Sequence, residues 1–191
     1  MVIRWPSRLV VVALAGETVL ALVALFWIRA RGLVVQVGDP LAGVGFGLGA
    51  AALFAMLNYG VLRLAPPVEP VRALRGLYAT TLRPVFATAS AADVAVVSLA
   101  AGIGEELLFR GAVQAELGTL IASLLFGLAH IGGRDSWVFG VWVAVMGLGL
   151  GGLAHLGGGL LAPVVAHVVY DAAAIEYIRR DAARHRETPP W

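Results

Sequence analysis

The sequence contains no cysteine, which excludes disulfide bonds, thiolate metal sites and a cysteine nucleophile. It also contains no lysine, so arginine supplies all 14 basic residues. Charged residues make up only 14% of the chain, whereas a typical soluble domain has about 25%, and 60% of the residues are hydrophobic. In a chain of 191 residues, these shortages leave no room for a large soluble domain beside membrane spans. We therefore expect a single integral membrane domain.

Long hydrophobic runs, separated by breaks rich in glycine, proline and charge, predict an all-α polytopic membrane protein with about six transmembrane helices. The predicted spans are 9–28, 41–64, 91–117, 119–132, 137–155 and 160–178. Between the second and third spans, apolar residues recur at helical spacing over 71–86, while arginines lie off that stripe. This pattern predicts one interfacial amphipathic helix. The second span carries Gly43, Gly45, Gly47 and Gly49, which predict close packing against another helix, with Gly45-x-x-x-Gly49 as a small-residue packing face.

The arginines are distributed unevenly between the two membrane sides. Six spans place both termini on the same side, and eleven of the 14 arginines belong to that side. The three exceptions are Arg29, Arg31 and Arg110. The positive-inside rule therefore predicts that both termini are cytoplasmic. The abundance of glycine and alanine without lysine is typical of a GC-rich bacterial genome, which favours the bacterial inner membrane as the location.

Three charged residues, Glu105, Glu106 and Arg110, interrupt one of the most hydrophobic stretches of the chain. Each costs about 3 kcal/mol at the centre of a membrane span, so such a cluster is expected to have a function. Glu106 and Arg110 are four residues apart, a spacing that suits a charge-assisted pair in low dielectric. Glu105 is rotated from Glu106 by about 100° and faces another direction. We interpret Glu106 and Arg110 as a structural pair and Glu105 as the reactive carboxylate.

Two later apolar runs carry His130 and the pair His167 and Asp171. If the third and fourth spans form an antiparallel hairpin about Gly118, Glu105 and His130 lie at nearly the same depth, because they are thirteen and twelve residues from the turn. The sixth span starts from the same membrane side. It carries His167 and Asp171 at positions i and i+4, on one helix face, to a similar level. Three separate spans are therefore predicted to bring four polar side chains together.

This combination of residues fits hydrolysis. A carboxylate in apolar surroundings takes up a proton more readily than one in water, which suits a general base at neutral pH. Neutral histidines can hold a water, stabilise an oxyanion or ligate a metal. The sequence has neither a plausible Ser–His nucleophile arrangement nor a His-Glu-x-x-His motif. What remains is a water activated by Glu105 and positioned by histidines, with or without a metal.

Three motifs occur in order, each on its own predicted span. They read Glu-Glu-x-x-x-Arg at 105–110, Phe-x-x-x-His at 126–130 and His-x-x-x-Asp at 167–171. The surrounding residues, Ser-Leu-Leu-Phe-Gly-Leu-Ala-His at 123–130 and Leu-Ala-Pro-Val-Val-Ala-His at 161–167, fit the same pattern. Together they resemble the motifs of the CPBP family, which comprises CAAX prenyl endopeptidases and bacteriocin-processing or Abi intramembrane proteases. The resemblance covers residues 90–178.

The resemblance implies an α-helical intramembrane endopeptidase in which the first motif glutamate activates a water. By this resemblance, Glu105 activates the water, and His130 and His167 bind the water or the oxyanion. Asp171 takes the fourth role in the site. Glu106 and Arg110 carry over as supporting residues. We accordingly divide the single integral domain into N-terminal spans with the interfacial helix at 1–90, a catalytic core at 91–178 and a charged tail at 179–191.

The family often has asparagine at the position of Asp171. An amide can donate a hydrogen bond to an oxyanion, whereas an ionised carboxylate cannot. Asp171 is therefore either protonated, or orients His167, or belongs to a His-His-carboxylate metal centre. In the last case, His130 and His167 would be ligands of a divalent metal such as Zn²⁺.

Two hypotheses from other functional classes stay open at this point. One is a catalytically silent immunity or scaffold protein on the same fold. The other is a small proton-coupled transporter, because buried Glu and His residues also build proton relays. For the protease, the expected partners are a peptide or lipidated-peptide substrate and membrane lipids, with no nucleic acid. Glu17, in the middle of the first span, is an intramembrane carboxylate to which the sequence assigns no role, and His155 is expected at the interface.

Overall fold

The computed structural model describes residues 8–133 and 136–185, and all regular structure within them is helical. The α-helices of this part are α1 (Arg8–Arg31), α2 (Pro40–Tyr59), α3 (Glu69–Leu77), α4 (Arg83–Phe86), α5 (Ala91–Glu106), α6 (Gln114–Ala129), α7 (Trp137–Leu156) and α8 (Leu161–Arg184). Three π-helical segments, Gly60–Leu64, Tyr78–Leu82 and Leu107–Val113, continue from α2, α3 and α5. Arg4, the predicted loop residues Arg134 and Asp135, and residues 186–191 of the predicted tail lie outside the described residues.

Five helices of the described chain are long and apolar enough to cross a membrane. They are Arg8–Arg31, Pro40–Leu64, Ala91–Ala129, Trp137–Leu156 and Leu161–Arg184. Each predicted span lies wholly or mostly on one of them, although the fourth runs three residues past Ala129, and this confirms an all-α integral membrane protein. The helix count is close to the prediction, because Ala91–Ala129 contains both the third and the fourth predicted spans.

The chain reverses direction within Ala91–Ala129, at Gly118. This residue has φ 81° and ψ 166°, outside helical geometry and in a region that L-residues with a Cβ rarely adopt. The rings of Phe109 and Phe126, on opposite sides of the turn, have centroids 5.0 Å apart. The predicted hairpin is therefore present. Its second arm after Gly118 is helical only to Ala129, a length of about 16 Å, which is shorter than a hydrocarbon layer of about 30 Å.

Glycines allow α2 and α5 to approach α8 closely. A Cβ on Gly47 would lie 2.7 Å from Cβ of Val165, and a Cβ on Gly102 would collide with Val168. Of the four α2 glycines predicted to pack closely, Gly43 and Gly47 contact α8, whereas the Gly45-x-x-x-Gly49 face is wrong, because nothing lies within 4 Å of a Cβ on either residue. The stripe that meets α8 is offset by two residues, since α2 is apolar on all sides and its sequence alone does not reveal which face is buried.

The predicted interfacial amphipathic helix is present as α3, the π-helical segment Tyr78–Leu82, and α4. Tyr78 is buried, and its hydroxyl donates to Oδ2 of Asp181 on α8 at 2.8 Å. Burial raises the pKa of Tyr78 and the hydrogen bond to Asp181 acts in the same direction, so the hydroxyl remains a donor. Arg63 donates to Oδ1 of the same carboxylate at 2.8 Å, and Arg75 donates to backbone oxygens of 62 and 65. The segment is thus fastened to the ends of α2 and α8.

Helix α8 continues to Arg184, six residues beyond the predicted end of the sixth span. Its extension is polar and self-supporting, because Glu176 pairs with Arg179 at 2.6 Å and with Arg180 at 2.7 Å. The extension also carries Asp181, whose side chain is only 1% exposed. A hydropathy pattern stops where the apolar residues stop, whereas the helix is held further by these tertiary contacts.

Candidate active site

The first motif lies where α5 changes into a π-helix. Glu105 and Glu106 are the last residues of α5, and the π-helical segment Leu107–Val113 follows directly. Such segments are rare in proteins and occur often at functional sites. An ion pair spans the junction, in which Nη1 of Arg110 lies 3.1 Å from Oε1 of Glu106. Both side chains are fully buried, so the pair predicted from their spacing is present.

The Glu106–Arg110 pair joins three separate parts of the bundle. Nη2 of Arg110 donates to the backbone oxygen of Gly147 on α7 at 3.0 Å, and its guanidinium lies 4.5 Å from the ring centroid of Phe126. Oε1 of Glu106 also accepts from Nδ1 of His167 on α8 at 2.8 Å. The interpretation of Glu106 as a partner of Arg110 alone was incomplete. The sequence did contain a clue to a second partner, because a carboxylate has about four lone-pair positions and one arginine cannot satisfy them all.

Hydrogen bonds define which nitrogen of each histidine faces the site. Nδ1 of His130 lies 2.8 Å from the backbone oxygen of Phe126, and a carbonyl can only accept, so Nδ1 carries the proton. Nδ1 of His167 likewise donates to Glu106. In both rings Nδ1 makes a hydrogen bond to the protein, so Nε2 is the nitrogen that faces Glu105. In the neutral form of either ring, this atom is a free acceptor.

The four residues predicted from the sequence converge on one place. Oε2 of Glu105 lies 3.8 Å from Nε2 of His130 and 3.7 Å from Nε2 of His167. Oδ2 of Asp171 lies 3.6 Å from Nε2 of His167. These separations exceed direct hydrogen bonds but suit a shared water. Oε2 of Glu105 is buried and has no hydrogen-bond partner among the described residues, as expected of an atom that binds a water.

A cavity of about 110 Å³ surrounds these polar groups. Its polar lining consists of the four converging side chains, and the rest is aromatic or aliphatic: Phe54, Phe126, Phe139, Trp142, Val143, Met146, Leu150 and Tyr170. A water molecule occupies about 30 Å³ in the liquid, so the space suits a few waters rather than an open channel. The site is therefore a small polar hollow with apolar walls, within the membrane-spanning bundle.

The donor types at this cavity are those that Zn²⁺ accepts, namely two imidazoles and carboxylates. Their arrangement does not match a metal site, because the described residues contain no group of three or more His, Asp or Glu side chains placed to hold a metal ion. We derive no step through a metal. Ligation by His130 and His167 stays a prediction from the sequence.

Two other polar residues of the sequence have clear positions. His155 is exposed at the end of α7, away from the cavity, and its Nε2 lies 3.0 Å from Oγ1 of Thr119. Glu17 lies on α1 against Gly104, the residue before Glu105, although sequence reasoning gave it no place in the site. The missing signal was the register of α1 against α5, which a single sequence does not contain.

The fold and the site together define an integral membrane protein with a buried glutamate–histidine centre. Comparison with known families matches residues 87–173 to the type II CAAX prenyl endopeptidase Rce1-like family. The matched segment contains all three motifs, so this part of the chain is similar to that family, in line with the resemblance.

One curated relative is "Uncharacterized protein YpbD" from Bacillus subtilis (strain 168), which is 30% identical over 104 residues. The aligned part covers 52% of this chain and 55% of the relative, so the chain spans about half the length of the relative that it matches. No solved structure matches the chain significantly.

Proposed function

We propose that this protein is an intramembrane endopeptidase that hydrolyses a peptide bond near the membrane with a water activated by Glu105. One observation carries the proposal. Oε2 of Glu105 is buried without a partner, and the Nε2 atoms of His130 and His167 both face it at 3.8 and 3.7 Å. A general base needs to lie within reach of a water that is held in place, and this arrangement supplies both.

In the proposed reaction, a water donates one proton towards Glu105 and the other towards Nε2 of His130. Its oxygen attacks the substrate carbonyl carbon, while Glu105 takes up the first proton and the carbonyl becomes an oxyanion. When the C–N bond breaks, Glu105 returns this proton to the leaving amine. His167 is assigned to the oxyanion, since Glu106 and Asp171 flank its two ring nitrogens and would balance an imidazolium that donates to it.

We propose residues 91–178 as the catalytic core, with a peptide or lipidated peptide as substrate. The family description supports a peptide substrate in a membrane setting. The location proposed from composition, a bacterial inner membrane, favours processing of a peptide or bacteriocin over a eukaryotic prenylated protein.

The proposal is tested by comparing the membrane and secreted peptides of cells that express the wild type or the Glu105→Gln variant. We expect a cleavage product that is present with the wild type and missing with Glu105→Gln. Glu116→Gln is the matched control, because Glu116 lies near the turn of the same hairpin and binds Trp27 at 2.8 Å, outside the cavity. Identical peptide sets from wild type and Glu105→Gln, with biological activity retained, would instead favour the silent scaffold.

A further inference from the structure

A further acidic residue, on the first helix, lies next to the α5 segment that carries Glu105. Glu17 packs against Gly104, which immediately precedes Glu105. A Cβ on Gly104 would lie 2.7 Å from Oε2 of Glu17 and 2.9 Å from its backbone oxygen. The side chain of Glu17 therefore occupies the space that a larger residue at position 104 would need. This close approach depends on glycine.

The depth of Glu17 is set by contacts at both ends of α1. Val10 belongs to the same buried cluster as Val94 and Val97, near the start of α5. At the other end, Nε1 of Trp27 donates to Oε2 of Glu116 at 2.8 Å. The chain from the start of α5 to Glu116 thus runs parallel to α1, and Glu17 lies between these two contacts. Glu17 is held at the level of Glu105.

The carboxylate of Glu17 is not explained as a structural contact. A polar residue that joins membrane helices hydrogen-bonds to its neighbour, whereas Oε2 of Glu17 is buried with no hydrogen-bond partner among the described residues. Oε2 of Glu105 is in the same condition. Glu17 is also close enough to interact electrostatically with His167, Asp171 and Glu105. Glu17 packs against the residue next to Glu105, and an ordered water is the kind of partner that would satisfy both buried oxygens.

We propose that Glu17 is a positioning residue of the active site, whose Oε2 orders water next to Glu105 and extends the hydrated hollow towards α1. The proposal rests on the proposed function. Because two carboxylates in a low-dielectric site repel each other, the useful property of Glu17 is hydrogen bonding and not negative charge. A neutral amide at position 17 should serve, whereas an apolar side chain of similar size should not.

The test uses purified full-length protein in lipid nanodiscs and the peptide substrate identified by the Glu105→Gln comparison. We expect Glu17→Leu to lower kcat about tenfold or more with KM within about twofold, since general acid–base steps contribute about 10²–10⁴-fold and only the water is disturbed. Glu17→Gln should keep most of the wild-type kcat. Thr18→Leu, a polar-to-leucine change at the exposed neighbouring position, is the control and should behave as wild type.

Each result separates this inference from the proposed function. A wild type without Glu105-dependent cleavage defeats the proposed function. A wild type that cleaves, together with a fully active Glu17→Leu, overturns only the role of Glu17. Equal losses of kcat in Glu17→Leu and Glu17→Gln also overturn it, because negative charge would then be what matters. If Glu17→Leu does not fold, Glu17→Asp retains the carboxyl but shortens its reach, and lowered kcat at unchanged KM is again the expected result.

Discussion

One oxygen atom of Glu106, Oε1, contacts both Arg110 and His167. All three side chains lie on membrane-spanning helices. Glu106 connects the ion pair of the first motif to the histidine of the third. The carboxylate therefore fixes the ring of His167 and keeps the guanidinium neutralised at the same time. This dual contact gives the supporting residue a larger part in the site than pairing alone.

Glu106→Ala is expected to destabilise the fold by about 3–5 kcal/mol, because it leaves the buried guanidinium of Arg110 without its counter-charge. The measurement is the free energy of unfolding by denaturant titration in detergent. Glu176→Ala is the control, since Glu176 pairs with arginines near the solvent-accessible end of α8 and its loss should cost far less stability. Equal losses in the two variants would contradict the buried role of Glu106.

At the residue scale, the sequence predicted the convergence of Glu105, His130, His167 and Asp171 well. The reason is that residue counts from a turn translate directly into depth along a helix. It could not predict Glu17 or the Glu106–His167 bond in the same way. Those contacts depend on the rotation of one helix against another, and hydrophobic patterns on helices that are apolar all round carry little information about rotation.

The hairpin of α5 and α6 is the element that brings the first two motifs together. It reverses at Gly118, where φ is 81°. Gly118→Ala should destabilise the protein by about 1–3 kcal/mol, because alanine is strained in this conformation. Gly45→Ala is the matched control, since a Cβ there meets nothing within 4 Å and the helix should be as stable or slightly more stable. The measurement is the free energy of unfolding of both variants by denaturant titration. A Gly118→Ala variant as stable as the wild type would count against the chain reversal at Gly118.

The interfacial segment, residues 69–86, is held down chiefly by Asp181. Asp181→Ala removes the acceptor for Tyr78 and Arg63 at once, so the segment should open more often. We expect faster amide hydrogen exchange in 78–82, measured by mass spectrometry in nanodiscs. Glu69→Ala removes only an exposed pair with Arg72 and should leave exchange there unchanged. Wild-type exchange rates in Asp181→Ala would show that other contacts hold the segment.

The existence of the long helices could be predicted from the sequence, but two details of their packing and length could not. The first is which of the four α2 glycines contact α8, namely Gly43 and Gly47. The second is the end of α8, where Asp181 and its partners keep polar residues helical. In both cases, tertiary contacts decide what a local pattern leaves undetermined.

At the scale of the whole molecule, the absence of cysteine makes the predicted orientation directly testable. Single cysteines at Val34, which is 85% exposed between α1 and α2, and at Thr80, on the interfacial segment, report opposite membrane sides. In intact spheroplasts, a membrane-impermeant maleimide should label Val34→Cys, and should label Thr80→Cys only after permeabilisation. The reverse pattern would place both termini outside and contradict the orientation.

The family segment, residues 87–173, contains every side chain of the proposed reaction and leaves out α1 and α2. The structure nevertheless places Glu17 of α1 against that segment, and Phe54 of α2 lines the cavity. The N-terminal spans therefore complete the walls of the site. Motifs do not reveal this role of α1 and α2, because helices that shape a cavity depend on the size and fit of their side chains more than on particular residues.

The central claim is that Glu105 activates the attacking water, and kinetics of purified Glu105→Gln in nanodiscs test it most directly. Glutamine keeps the size of the side chain but cannot take up the proton. We predict a loss of kcat of about 10²–10⁴-fold with unchanged stability of the folded protein. Cleavage by folded Glu105→Gln at a rate near that of the wild type would contradict the mechanism.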